Sequence, residues 1–263
     1  MIKPYTCKVI IVDQPFLDDL KQESMTEYKS FIAPDLDTQI ITLPLEEADI
    51  IDLVQYIDPT EIHTGKILVK PSFTKQLVSV DTFTDEIVYR KYSLFVQLCI
   101  ALGAKKVAIS SIEDIGLESS ETSSMSAEIE AGAPLVNAGA AAGKGQSSLN
   151  DETRKSIFKL NTEAQGGEPS LENARRIMVE NGLNKDALFI DMFNLCQVPT
   201  NRLLSHEVSF DFSADVKRIF DSSMHAKIKT MSKLYKGKAE FEKASQSLEK
   251  NRTATKLSVR VEF

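Results

Sequence analysis

The stretch from Asp85 to Glu113 (DEIVYRKYSLFVQLCIALGAKKVAISSIE) limits the folds open to this chain more than any other part of it. Val88, Tyr92, Phe95, Cys99 and Leu102 recur every three or four residues, and Leu94, Leu98 and Ala101 widen that stripe. Thr84 is placed to cap the helix, with Asp85 and Glu86 in a first turn that favours carboxylates. Gly103 supplies a left-handed stop, and Val107 to Ile112 then reads as a strand. A helix apolar on so many sides must be covered on most of them, so it is the expected centre of the core.

Around that helix the sequence predicts an α+β fold: a largely antiparallel sheet with helices packed on it. Strands are expected near 7–12, 38–43, 66–70, 105–112, 156–164, 206–212 and 256–263, with Leu77 to Asp81 as a further short one. Cys7 to Val12 (CKVIIV) is a continuous apolar run, the mark of a strand buried on both faces. His206 to Phe212 and Lys256 to Phe263 alternate strictly, the mark of half-buried strands. Helices are expected at Phe16 to Tyr28 and at Leu45 to Ile57, the latter with Ile50, Leu53, Val54 and Ile57 as its core face. Ser170 opens a further helix and Asn184 or Asp186 the next, and one long helix runs from Ser213 to Tyr235. All 263 residues read as a single domain.

One segment cannot contribute to a core. From Gly116 to Asn150, 19 of 35 residues are Ala, Gly or Ser, and no Lys or Arg occurs from Val107 to Gly143. Such a segment loses much entropy on ordering and buries little, so 116–150 is expected to be a flexible excursion serving as a tether. Alternatively, strands at 106–112 and 156–164 make 105–165 one extended hairpin, which a membrane-active protein would insert. Glu118, Glu121, Glu128 and Glu130 weigh against that, because only a water-filled lumen would accept them.

No catalytic residue can be assigned from the sequence. Gly139 to Gly145 (GAAAGKG) has three residues between its glycines and Gly145 where a phosphate loop needs a hydroxyl, so it is not a nucleotide site. His63, His206 and His225 have no metal-ligand spacing, and Cys7, Cys99 and Cys196 form no Cys-x-x-Cys pair. Asp215 and Lys217 have the spacing of half a nuclease motif but sit where a helix begins. Glu46, Glu47, Asp49 and Asp52 form the densest acidic cluster, which the dipole of a helix start accounts for without a metal. Neither a cofactor nor a metal is expected, and an enzyme would need an active site assembled from distant residues.

The charge is divided along the chain. Residues 1–104 carry 9 Lys and Arg against 16 Asp and Glu, whereas residues 214–263 carry 12 against 6, within a net charge of −7. The overall acidity and few aromatics argue against nucleic acid as a partner. The expected function is non-catalytic: a protein-interaction or assembly protein with a protein partner, or one that self-associates as an oligomer through acidic and basic surfaces. Three widely spaced cysteines suit a reducing compartment, and no run is long enough to span a bilayer, so the protein is expected to be soluble and cytoplasmic.

Overall fold

The computed structural model describes residues 6–116, 151–198, 202–234 and 253–263. The expected excursion at 116–150 falls outside the described residues except for Gly116, as does the stretch 235–252. The α+β class holds, but the strands divide into two four-stranded sheets instead of forming one.

The first sheet has the order β2-β1-β3-β4. Its strands are β1 (Lys8–Asp13), β2 (Thr38–Leu43), β3 (Ile67–Val69) and β4 (Val78–Ser79). β1 and β2 are parallel, joined by a crossover through helices α1 (Gln14–Glu23) and α2 (Met25–Ile32), while the other pairs are antiparallel. Sequence predicted one helix over 16–28. The break comes at Ser24, whose extended backbone ends α1 and whose hydroxyl accepts from Glu27 N at 3.2 Å to start α2. The apolar run in β1 is explained by burial on both sides. Ile10 and Val12 enter the main core, and Val9 and Ile11 enter a smaller one with Ile41, Leu53, Ile57, Leu68 and Leu77.

That smaller core is covered by α3 (Glu47–Leu53) and the turn that follows it. Here the sequence reading needs correction. Leu53 and Ile57 are buried as expected, but Ile50 and Val54 are 40% and 41% exposed, and Ile51 is 65% exposed. The helix is too short to carry its stripe through, so half of the expected core face looks outward.

Helix α4 (Phe83–Ala101) is the centre of the main core, with Phe83, Ile87, Val88, Tyr92, Phe95, Leu98 and Cys99 buried. Its N-cap is Thr82, which makes no side-chain cap bond, and Thr84 lies buried inside the first turn instead of capping it. Phe95 packs edge-on to Phe189 and Phe210, at centroid distances of 5.7 and 5.0 Å. Gly103 ends the helix at φ +92°, and Ala104 N returns to Cys99 O at 2.9 Å.

The second sheet is antiparallel throughout, in the order β6-β5-β8-β7. Its strands are β5 (Lys106–Gly116), β6 (Thr162–Glu163), β7 (Ser205–Asp211) and β8 (Thr253–Glu262). The strand predicted at 156–164 is mostly helix: α5 spans Asp151–Lys159, and only Thr162 and Glu163 pair with β5. Ile157 is buried while Lys155, Ser156 and Lys159 are exposed, a one-sided burial that suits a helix and not an alternating strand. Beyond the short β6, Asn161 Oδ1 accepts from Ile109 N at 2.9 Å, so a side chain serves where the ladder stops. The long partner of β5 is therefore β8, and the pairing expected for a 105–165 hairpin is reduced to Lys106 with Glu163 and Val107 with Thr162.

Four more helices complete the described chain: α6 (Leu171–Glu180), α7 (Ala187–Leu195), α8 (Ser213–Ile219) and α9 (Ser222–Leu234). Asp186 caps α7, accepting from Leu188 N at 3.1 Å, but Ser170 makes no side-chain cap for α6. The single helix expected from Ser213 is broken at Phe220 and Asp221, because Asp221 Oδ1 accepts from Met224 N at 2.9 Å and opens α9 afresh. The main core is continuous between the sheets, holding Ile10 of β1 together with Phe210 of β7 and Val259 of β8.

Candidate interaction surfaces

Charged side chains inside the fold are engaged with one another. Lys8, wholly buried on β1, forms an ion pair with Asp221 and a second with Asp37 at 3.3 Å. Beside it, Ser223 Oγ donates to Asp35 Oδ2 at 2.8 Å, and that bond is the main reason the Asp35 carboxyl is held below its ordinary range. Lys227 Nζ donates to Phe31 O at 2.6 Å, and its burial pulls the ammonium below the ordinary lysine value. These contacts fasten α9 to α2 and to the edge of the first sheet.

A second cluster joins three helices. Lys91 of α4 lies 2.7 Å from Asp186 and 3.9 Å from Asp215, with its ammonium over the Phe212 ring. Burial raises the Asp215 carboxyl above its ordinary value despite Lys91 beside it. Asp215 lies beside Lys91, and Lys217 on the same helix is exposed.

Two cavities are comparable in size. One of about 730 Å³ lies beside β4 and the N-terminus of α4, with Asp58, Glu61, Lys66, Asp81, Glu86 and Arg90 on its walls. Lys66 pairs with Glu61 at 2.7 Å and Asp81 at 3.8 Å, and Arg90 with Glu86 at 2.6 Å, while Asp58 accepts from Thr60, so four acids share these walls with two cations. The other, about 720 Å³, lies where α4 meets the loop before α6 and has Lys105, Cys196 and Arg202 on its walls. Lys105 Nζ donates to Phe263 O at 3.0 Å, and Arg202 pairs with Glu168 at 2.9 Å.

The histidines are dispersed: His63 in a turn, His206 on β7 and His225 on α9, where its Nδ1 lies 2.9 Å from Asp221 O. All three cysteines are free thiols. Cys99 is buried and burial pushes its pKa well up, while Cys196, half-buried, is pushed up to about 11. Cys7 is half-buried, less enclosed than its apolar neighbours suggested. No group of three or more His, Cys, Asp or Glu among the described residues is arranged to hold a metal ion. Among the described residues, no helix is long and apolar enough to cross a membrane.

What the molecule presents outward is apolar surface set in charge. On α3, Ile50, Ile51 and Val54 form one patch, since they lie one turn or less apart, and Glu46 and Glu47 are exposed beside them. On the other side of the first sheet, Met25 and Ile32 of α2 are 46% and 40% exposed, and Leu36 just beyond is 88% exposed. Sequence reading located the acids of α3 but assigned Ile50 and Val54 to the core. Only Ile51, off the helical stripe, signalled that this helix has an apolar outer face.

Fold and surfaces together define an α+β protein with two mostly antiparallel sheets and an exposed apolar face on a short acidic helix. Compared with protein-family models, curated proteins and solved structures, the chain matches none.

Proposed function

We propose that this chain is a non-catalytic protein-interaction module of the cytoplasm, and that α3 is the face it presents to a partner. The observation that carries this reading is the exposure of Ile50, Ile51 and Val54 on the helix that closes the smaller core. Contiguous apolar side chains rimmed by charge mark a surface that is covered in use. The rim is acidic: Glu46, Glu47, Asp49 and Asp52 set the sign of the partner as basic. A cytoplasmic site of action is consistent with three free thiols.

A photo-cross-linking residue placed at Ile51 tests the reading in cells, with one at exposed Lys155 on α5 as the control. The expected result is a discrete protein adduct from position 51 and none from position 155. Equal labelling from both positions, or none from position 51, overturns it.

A further inference from the structure

We infer that β7 is the contact edge of a symmetric dimer, in which it pairs antiparallel with β7 of a second copy and joins two four-stranded sheets into one. This edge belongs to the second sheet and is separate from the α3 face, which covers the first.

The backbone supplies the first argument. β7 ends the second sheet, with β8 as its neighbour. Phe263 N donates to Leu204 O at 2.9 Å and Phe212 N to Thr255 O at 3.1 Å, and the register between them is unbroken. Even-numbered residues from Leu204 to Phe212 therefore direct their N–H and C=O groups at β8, and Ser205, Glu207, Ser209 and Asp211 direct theirs away from it. Among the described residues, no backbone group bonds to these outward groups, and all four residues are exposed.

The strand also lacks the features that close off the others. β4 and β6 are two residues long, β5 is bulged between Ile109 and Ser111, and no residue of β2 is exposed. β7 runs for seven residues with no Pro, no Lys and no bulge. Its two acids are turned to partners in their own chain. Glu207 Oε1 accepts from Ser110 Oγ at 3.4 Å, across β8, and Asp211 Oδ1 accepts from Ser213 N at 2.8 Å. An edge left open in this way is a template for another strand.

The sequence of β7 suits a second copy of itself. Outward residues must face outward residues, so a pairing that overlaps most of the strand is centred on Glu207, Val208 or Ser209. Centring on Glu207 sets that carboxylate against its own copy, and centring on Ser209 sets Glu207 against Asp211. Centring on Val208 overlaps the whole strand, places Glu207 across from Ser209 and Asp211 across from Ser205, and brings Val208 against Val208. Behind the acids, β8 places Arg260 across from Glu207 and Lys256 across from Asp211, so the edge carries little net charge. The same register takes Leu204, which is 78% exposed, to the end of the second copy's strand. Such a contact is isologous and closes at two copies.

Sedimentation velocity of the full chain over a concentration series tests this, and the expected result is a monomer–dimer equilibrium with no larger species. Ser209→Pro removes an N–H that points away from β8, so it should weaken the dimer by about tenfold or more while the β7–β8 ladder keeps its bonds. Ser209→Ala keeps that N–H and should leave the dimer unchanged. Ile51→Ser, on the separate α3 face, should leave it unchanged too. Val208→Cys places two thiols at a non-hydrogen-bonded pair on the dimer axis, where the Cα separation of about 4.5 Å suits a disulfide. Mild oxidation should link Val208→Cys into dimers beyond the parent's level, and Ser205→Cys, about 20 Å from its own copy in this register, should not link. Unfolding midpoints near the parent's show that each variant is folded.

A parent chain that is monomeric at every concentration overturns the inference. So does a folded Ser209→Pro variant that dimerises normally, or linking that is equal at positions 205 and 208. A dimer lost with Ile51→Ser and kept with Ser209→Pro runs through α3, which overturns this inference and leaves the interaction reading of α3 in place.

Discussion

Lys8 and Asp221 form an ion pair across 213 residues of sequence, with the lysine side chain fully buried and the aspartate 41% exposed. The exposure difference makes the pair asymmetric. Loss of the lysine leaves carboxylates that water can reach, whereas loss of the aspartate leaves a buried cation with Asp37 as its other carboxylate. Asp221→Asn keeps an oxygen to cap α9, so it isolates the charge. It should cost about 3 kcal/mol, Lys8→Met should cost less, and the double variant should recover most of the loss, all read from urea unfolding.

Gly103 and Gly182 both have positive φ, at +92° and +65°, but their surroundings differ. A Cβ on Gly103 would lie 2.4 Å from Gly167 O, a backbone atom with little room to give, while one on Gly182 would meet nothing within 4 Å. Gly182→Ala should cost about 1 kcal/mol, the penalty of the left-handed backbone. Gly103→Ala should cost more than twice that, because the loop before α6 must also move. Thermal unfolding of the two variants checks the order.

The Tyr92 hydroxyl is buried without a hydrogen-bond partner among the described residues. Burial, with Cys99 nearby, drives its pKa far above the ordinary tyrosine value. Removing an unsatisfied polar atom from a core relieves its desolvation, so Tyr92→Phe should stabilise the fold by about 1 kcal/mol. An equal loss in a urea titration would mean that the hydroxyl has a partner.

Asp211 and Asp215 should give pH dependences of opposite sign. The Ser213 hydroxyl and backbone N–H lower the Asp211 pKa. Its stabilisation is therefore present above the unfolded value of about 3.9 and lost as pH falls through the folded one. Burial raises the Asp215 pKa, so its contribution is present below the unfolded value and lost as pH rises through the folded one. Asp211→Asn should accordingly approach the parent's stability on acidification from about pH 6 to about pH 2.5. Asp215→Asn should gain on the parent as pH rises over the same range.

Local pattern was enough wherever a segment's environment was uniform. Continuous apolar residues in Lys8–Asp13, strict alternation in Ser205–Asp211 and the wide stripe of Phe83–Ala101 each fixed an element and its buried side chains. These signals depend on neighbours three or four residues away, which a sequence displays directly. The same holds for Asp186 as a cap and for Gly103 as a stop.

The rest depended on contacts between distant residues. That β5 takes β8 as its long partner, and that the strands split into two sheets, is a choice among pairings of similar local quality. Whether Ile50 and Val54 are core or surface was set by how far the short α3 extends over the first sheet, which its own apolar spacing does not encode. Lys8 and Asp221 could not be matched in advance, because the buried face of β1 accepts a cation only where the start of α9 brings a carboxylate to it. The sequence by itself therefore determined which segments are helix or strand where the period is clean, and that the chain is acidic toward one end and basic toward the other. Tertiary structure decided where those charges face, since burial and pairing are set by the elements that pack together and not by the order in which they occur.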